Sequence, residues 1–317
     1  MSTLWYSKSE FGSHWLPPVQ IEPAGDLIEL SDSNAPTAVS YRDDLYIFYL
    51  AETTVYYVLL DRSDVVGKPV PLFHGAQHGV AAGVYRDTLY VCGASGIPGT
   101  SGWQLLFMYR DVERGLWFPT EPVILEGIDN DPFQPQIVYY NDLLWVFFRT
   151  PSTQVPGDNE ITCCTIEFAA LNKPIIKRMR TISLNWSFST NQPVGLSVYA
   201  NRLYLAASSS SDATLHLSYT ATSTTADWAK PTPIRSRPYN DTIADPTALY
   251  GFGPSLQAYN SLLNLSFYDS SANIGNLTYD RNQFGILQLI EPDQTQHPLR
   301  TAVNGDSLYE IHVGIPR

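Results

Sequence analysis

One motif returns six times along the chain and restricts its fold more than any other feature. In residues 35–50 (APTAVSYRDDLYIFYL), two runs of β-branched, aliphatic and aromatic residues flank a polar turn at Tyr41–Asp44. Apolar runs of this length around a short polar step are the signature of a β-hairpin. The copies follow at 79–92 (GVAAGVYRDTLYVC), 134–148 (QPQIVYYNDLLWVFF), 193–207 (PVGLSVYANRLYLAA), 254–268 (PSLQAYNSLLNLSFY) and 298–313 (PLRTAVNGDSLYEIHV). A second unit lies between the hairpins: a strand, a polar turn and a proline-containing strand, as in 3–21, 54–72, 104–125, 161–182, 214–234 and 274–290. Each hairpin with the unit after it makes four strands in about 40–60 residues, the size of one propeller blade. The expectation is an all-β chain folded as a single six-bladed β-propeller domain over residues 1–317.

Strand chemistry fits positions within a blade. The first strand of each hairpin is built from small and β-branched residues, as in 36–40 and 80–84, which suits crowding at the axis. The second is the most apolar, as in 45–50 and 143–148, and is expected to be sandwiched between blades. The fourth carries Pro17, Pro18, Pro69, Pro71, Pro119, Pro122, Pro174, Pro231 and Pro233. Proline lacks a ladder N–H and belongs on an edge strand, which it also guards against aggregation. The sequence begins with third- and fourth-strand units and finishes on a first and second strand, so 298–313 is expected to pair with 4–21 and close the last blade.

Composition bounds the function. Hydrophobic residues make up 44% and charged residues 16% of the chain, as in a folded protein. The acidic balance, net −12, argues against nucleic acid and anionic membrane surfaces as partners, since both need Lys/Arg patches. No apolar run approaches the length of a transmembrane helix. Residues 1–15 lack the basic start and apolar core of a secretory signal, so a cytoplasmic protein, or one released without a signal peptide, is expected. Cys92, Cys163 and Cys164 form no spacing pattern and read as packing residues, with Cys163 and Cys164 on opposite strand faces. His74 and His78 have no third ligand at diagnostic spacing, and no metal or other cofactor is expected.

A propeller offers two ends. The loops leading into the inner strands gather Asp32, Asn34, His74, His78, Asp129, Asp131, Asn191, Gln192, Asp241, Asp245, Asp293 and His297 at one of them. Polar groups converging on a funnel mouth are a ligand site by default, although Asp and Asn there also cap turns. An enzyme acting on a small molecule or a glycoside would use Asp32 and Asp131 as acid and base, with His78 and His297 beside them. The other end gathers the hairpin turns with Arg42, Arg86 and Arg202, and Trp15, Trp117 and Trp228 near the starts of three fourth strands. Aromatic faces beside polar donors suit a pyranose, which has an apolar C–H face and a hydroxyl rim. The plainer reading makes these indoles packing residues over the blade edge.

Two turns, 8–15 (KSEFGSHW) and 109–117 (YRDVERGLW), are similar to the Ser-x-Asp-x-Gly-x-x-Trp turns of sialidases. The convergent arginine triad of those enzymes is not assembled from Arg149, Arg235, Arg237 and Arg300. In size, blade number and Gly-x-Trp-like turns the whole chain resembles the six-bladed fungal and bacterial propeller lectins of the fucose-binding type. The resemblance is architectural. Where those lectins repeat an Arg in the second strand, this chain holds Tyr46, Tyr90, Leu144, Tyr204, Leu263 or Asn264, and Tyr309, and its third strands hold no matching Glu. The resemblance implies a carbohydrate- or glycoconjugate-binding protein with a glycan as partner. The alternatives are the axial-mouth enzyme and a protein-interaction scaffold using one face.

Overall fold

The computed structural model describes residues 3–10, 14–21, 30, 34–97, 102–111, 113, 115–128, 132–152, 159–169, 173–182, 193–209, 212–221, 228–235, 248–269, 273–290 and 299–314. Strands β1 (Thr3–Ser9) and β2 (Val19–Gln20) come first. Blade 1 is β3 (Thr37–Tyr41), β4 (Asp44–Ala51), β5 (Thr54–Leu60) and β6 (Val70–His74). Blade 2 is β7 (Val80–Tyr85), β8 (Thr88–Gly96), β9 (Trp103–Arg110) and β10 (Trp117–Ile128). Blade 3 is β11 (Phe133–Tyr140), β12 (Leu143–Pro151), β13 (Asn159–Ala169) and β14 (Lys173–Ile182). Blade 4 is β15 (Gly195–Tyr199), β16 (Arg202–Ser208), β17 (Leu215–Thr220) and β18 (Thr232–Pro233). Blade 5 is β19 (Phe252–Tyr259), β20 (Leu262–Tyr268), β21 (Ile274–Tyr279) and β22 (Gln288–Ile290). Finally β23 (Arg300–Asn304) and β24 (Ser307–Gly314) share a sheet with the first two strands, in the order β2-β1-β24-β23, which is blade 6. There β1 runs antiparallel to β24 from Thr3 opposite Gly314 to Ser9 opposite Leu308. The molecule is thus a six-bladed propeller of four-stranded sheets, with no helix among the described residues.

Each hairpin closes with a two-residue turn. Arg42 and Asp43, Arg86 and Asp87, Asn141 and Asp142, Ala200 and Asn201, and Asn260 and Ser261 all have positive φ, between 47° and 73°. Positive φ at both central residues is the type I′ turn, whose twist matches that of paired strands. Only Gly305, in the sixth hairpin, supplies the residue type that adopts this conformation without penalty.

The residue before each turn stitches its blade to the next. Tyr41 donates its hydroxyl hydrogen to the Asp87 carbonyl at 3.1 Å, Tyr85 to Asp142 at 3.3 Å, Tyr140 to Asn201 at 3.4 Å and Tyr199 to Ser261 at 2.7 Å. Tyr259 donates in the same way to Asp306. In every case the acceptor is the second turn residue of the following blade.

Inner strands are crowded, as their small residues suggest. A Cβ on Gly83 would meet Ile137 Cγ2 of the next blade at 2.6 Å. Second strands pack on both faces: Tyr46, Phe48 and Leu50 against blade 2, and Leu45, Ile47 and Tyr49 against blade 6. Each such fully buried side chain contributes about 1.5–3 kcal/mol. Cys163 and Cys164 lie on opposite faces, in the seams of blade 3 with blades 4 and 2.

One seam departs from the apolar expectation. Five seams hold large apolar clusters, whereas among the described residues the apolar cluster of the seam between blades 5 and 6 is Ile274 and Leu299 with the flank of Trp15. Alternation along the strands turns Asn264, Ser266 and Asn276 of blade 5, and Ser7, Glu310 and His312 of blade 6, into it, all buried to within 1%. His312 Nδ1 lies 3.1 Å from Glu310 Oε1. Serine, asparagine, glutamate and histidine at these steps are what alternation would place in solvent, and ring closure places them inside.

Candidate functional site

At the loop end, the approaches to the inner strands of blades 1, 2 and 3 are tied together. Gln134 (φ 51°) donates its backbone N–H to the His78 carbonyl at 2.8 Å. Its side chain accepts from the Ala35 N–H at 3.2 Å and donates to Asn34 Oδ1 at 3.4 Å. His78 packs between Trp103, at 4.9 Å between ring centroids, and Phe133, at 4.8 Å. Burial lowers its pKa from the ordinary 6.5, so the neutral imidazole is favoured. His74 is turned away to Thr54 Oγ1, 2.7 Å from its Nδ1. Asp32, Asp131 and His297 lie outside the described residues, as do Asp129, Asn191, Gln192, Asp241, Asp245 and Asp293. Among the described residues no group of three His, Cys, Asp or Glu side chains is placed to hold a metal.

Below this mouth, inner strands of all six blades line an axial channel of about 290 Å³. Its lining alternates Val, Ala, Leu and Ile with hydroxyl and amide groups, and none of the described lining residues is a carboxylate. Arg300, a residue only 7% exposed, contributes a guanidinium. Burial lowers its pKa from 12.5 to about 9, which leaves it charged at neutral pH. Its Nη1 donates to the Leu299 carbonyl at 2.9 Å. Gln136 Nε2 is buried without a hydrogen-bond partner. At the far mouth stands Tyr139, 44% exposed, whose hydroxyl donates to Asp142 Oδ1 at 2.8 Å. Arg149 takes a different position, buried on β12 on the face that carries Trp145 and Phe147.

The hairpin-turn end carries a repeated pairing of cation and aromatic ring. In the seam of blades 1 and 2, the Arg110 guanidinium lies 5.6 Å from the Tyr46 ring and 5.8 Å from the Trp117 ring. Arg42 covers Tyr41 at 5.5 Å and reaches across the seam to Asp87 at 3.7 Å. Arg86 covers Tyr85 at 5.0 Å in the seam of blades 2 and 3. Arg202 covers Tyr219 at 4.5 Å, and Arg281 covers Tyr199 at 5.6 Å, in the seam of blades 4 and 5. Lys8 covers Tyr309 at 5.5 Å in the seam of blades 6 and 1 and pairs with Asp64 at 2.9 Å. A cleft of about 350 Å³ opens there, lined by Lys8, Arg62, Tyr309 and the turn 304–307. The Arg-Asp turns were legible as charged; that Arg42 pairs across a seam, and Asp43 with Arg62 of its own blade, was not.

Trp15, Trp117 and Trp228 belong to blades 6, 2 and 4, so they alternate around the ring. Each is half-buried. Trp117 meets Phe48 edge to face at 5.9 Å, and Trp228 meets Phe147 at 6.5 Å. Trp15 packs on Ile274 and Leu299. All three therefore cover seams, and all three indole N–H groups lack a hydrogen-bond acceptor.

No family model matches the chain, and no curated protein matches it by sequence. Solved structures share its architecture. The lectin of the fungus Aleuria aurantia, a six-bladed β-propeller described as having a novel fucose recognition mode, superposes with a TM-score of 0.59. Identity is 8%, over 90% of this chain and 88% of that one. A mutant of the GH43 protein BlXynB from Bacillus licheniformis gives 0.53 at 11% identity, over 84% of this chain and 56% of that one, so this chain spans little more than half its length. An α-L-arabinofuranosidase from Lactobacillus brevis gives 0.51 at 10% identity, over 82% and 91% of the two chains. At these identities the likeness is one of fold, and the architectural resemblance to propeller lectins holds at that level.

Proposed function

We propose that this chain is a carbohydrate-binding propeller of the lectin kind, which takes glycans at its hairpin-turn end. The observation that carries the reading is repetition. Four of the six seams present a cation over a tyrosine ring within 6 Å, with polar turn residues alongside. An enzyme needs one asymmetric site, whereas a lectin gains avidity from several like ones. The chemistry fits: an aromatic face accepts the C–H face of a pyranose, and guanidinium, ammonium and carboxylate groups bond its hydroxyl rim. Trp117 extends the apolar part of the seam of blades 1 and 2, Trp15 and Trp228 cover the other two seams, and Arg42, Arg86 and Arg202 supply exposed donors. The names of the similar structures, a fucose-recognising lectin and glycoside hydrolases, support a carbohydrate ligand.

The competing reading places catalysis on a glycoside at the axial mouth, above the channel that the inner strands line. The carboxylates this reading calls on, Asp32 and Asp131, lie outside the described residues, and the repetition at the seams carries the choice of binding. A glycan array probed with the wild-type protein and with the triple variant Arg42→Ala, Arg86→Ala, Arg202→Ala tests it. The wild type is expected to bind a defined group of glycans. The variant, changed at exposed turn positions, should stay folded and lose most of the signal. A silent array with turnover of an aryl glycoside would replace this reading with the enzyme.

A further inference from the structure

We propose that the axial channel is a second binding site, for a small molecule bearing an oxyanion, a carboxylate or a phosphate ester, held by the guanidinium fork of Arg300. The site is separate from the seams at the hairpin-turn end and does not depend on glycans binding there.

Three observations converge on it. A cavity of about 290 Å³ runs along the axis, close to the lower limit of small-molecule pockets. Arg300 lines it with 7% exposure and makes a single hydrogen bond, to the carbonyl of its own neighbour Leu299. Among the described residues no carboxylate pairs with it, either as a salt bridge or as an electrostatic influence on its titration. A guanidinium carries five donors in a planar fork, and burying that charge without a counter-charge is costly. The third observation is a neutral donor on the same lining: Gln136 Nε2, buried and without an acceptor. The hydroxyls of Ser255 and Thr301, 2.9 Å apart, add groups that turn to suit a ligand oxygen.

These groups have a common deficit. Arginine and the amide N–H offer hydrogens, and the channel's described side chains return no negative charge to accept them. A carboxylate or phosphate supplies what is missing, two oxygens in the plane of the fork, in charge-assisted bonds. The molecule as a whole, at net −12, repels anions in general, so uptake in the channel would be selective by position. The size admits a compact ligand such as a single sugar acid or sugar phosphate.

Isothermal titration and thermal shift with D-glucuronate, D-glucose 6-phosphate and D-glucose, at constant ionic strength in chloride, test the site. Glucuronate or glucose 6-phosphate should bind and raise the Tm, and glucose should not; the stronger of the two acids identifies the oxyanion. Arg300→Gln should weaken that binding by at least about tenfold, as loss of a charge-assisted bidentate contact does. Without the anion its Tm should equal or exceed the wild type's, because an unpaired buried charge has been removed. Gln136→Leu, which breaks no existing hydrogen bond, should weaken binding about three- to tenfold and serves if Arg300→Gln does not fold. The proposal falls if neither acid binds the wild type, if glucose binds as well as the acids, or if the variants titrate like the wild type.

Discussion

The Asn304 side-chain amide donates to the backbone carbonyl of Asp43 at 3.5 Å, where the other five blades use a tyrosine hydroxyl. The contact joins blade 6 to blade 1 and completes a circuit that passes through every hairpin turn. Asn304 Oδ1 also accepts from Ser40 Oγ at 2.9 Å, so a shorter side chain spans the same seam by a second route. The circuit holds together turns that carry the proposed glycan contacts, and it links ring stability to the geometry of each seam.

Removing one member of the circuit is expected to have a local cost. Tyr199→Phe keeps the ring and its packing but leaves the Ser261 carbonyl without its 2.7 Å donor, and should destabilise by about 1 kcal/mol. Asn304→Ala should cost at least as much, since two bonds are lost. Denaturant unfolding reads both, and an unchanged midpoint for Tyr199→Phe would show that the contact contributes nothing net.

Crowding at the axis gives a sharper test. Gly83→Ala puts a methyl 2.6 Å from Ile137 Cγ2 and should destabilise by about 1–3 kcal/mol. Ile137→Ala in the same chain should recover part of that loss, a coupling expected of two groups competing for one space. Strict additivity in the double variant would place the strain elsewhere.

His78 makes stability depend on pH. Burial lowers its folded pKa below 6.5, so as pH falls through 6.5 the unfolded chain takes up the proton before the folded chain does. The stability present above pH 6.5 is therefore lost progressively on acidification, until folded His78 is protonated as well. His78→Gln should show a smaller fall in Tm between pH 7 and pH 5 than the wild type. An equal or larger fall would assign the acid sensitivity to other groups.

The polar seam predicts a double-mutant cycle. Glu310→Leu or His312→Leu alone leaves a buried polar partner behind and should cost about 3–5 kcal/mol, whereas the double variant should cost clearly less than the sum. Equal and additive losses would mean that the two side chains act independently.

Much of the fold was legible because it is local. Period-two alternation, polar two-residue turns and prolines on the outer strands are written in consecutive residues, and each reports on a neighbour a few positions away. The parts that were not legible depend on ring closure. Glu310 and His312 alternate with apolar residues as a solvent-facing strand would, and only the neighbouring blade 5 makes that face interior. Arg300 was one of four arginines that assemble no triad in the sequence; its place on the channel wall follows from its position at the start of the inner strand β23. Gln134, which ties three blades together at the mouth, carried only the signal of a polar residue before an inner strand. The tyrosines before the turns were visible as a repeat, but their acceptors lie 46–62 residues further along the chain.

Titration of the protein with a glycan that binds it, read as stoichiometry by calorimetry and by native mass spectrometry, tests the central claim most directly. Repeated seams predict more than one equivalent bound per chain, with equivalents lost stepwise as Arg42, Arg86 and Arg202 are changed to Ala one at a time. A single equivalent, indifferent to all three changes, would contradict the seam sites and leave the axis as the place where sugar is held.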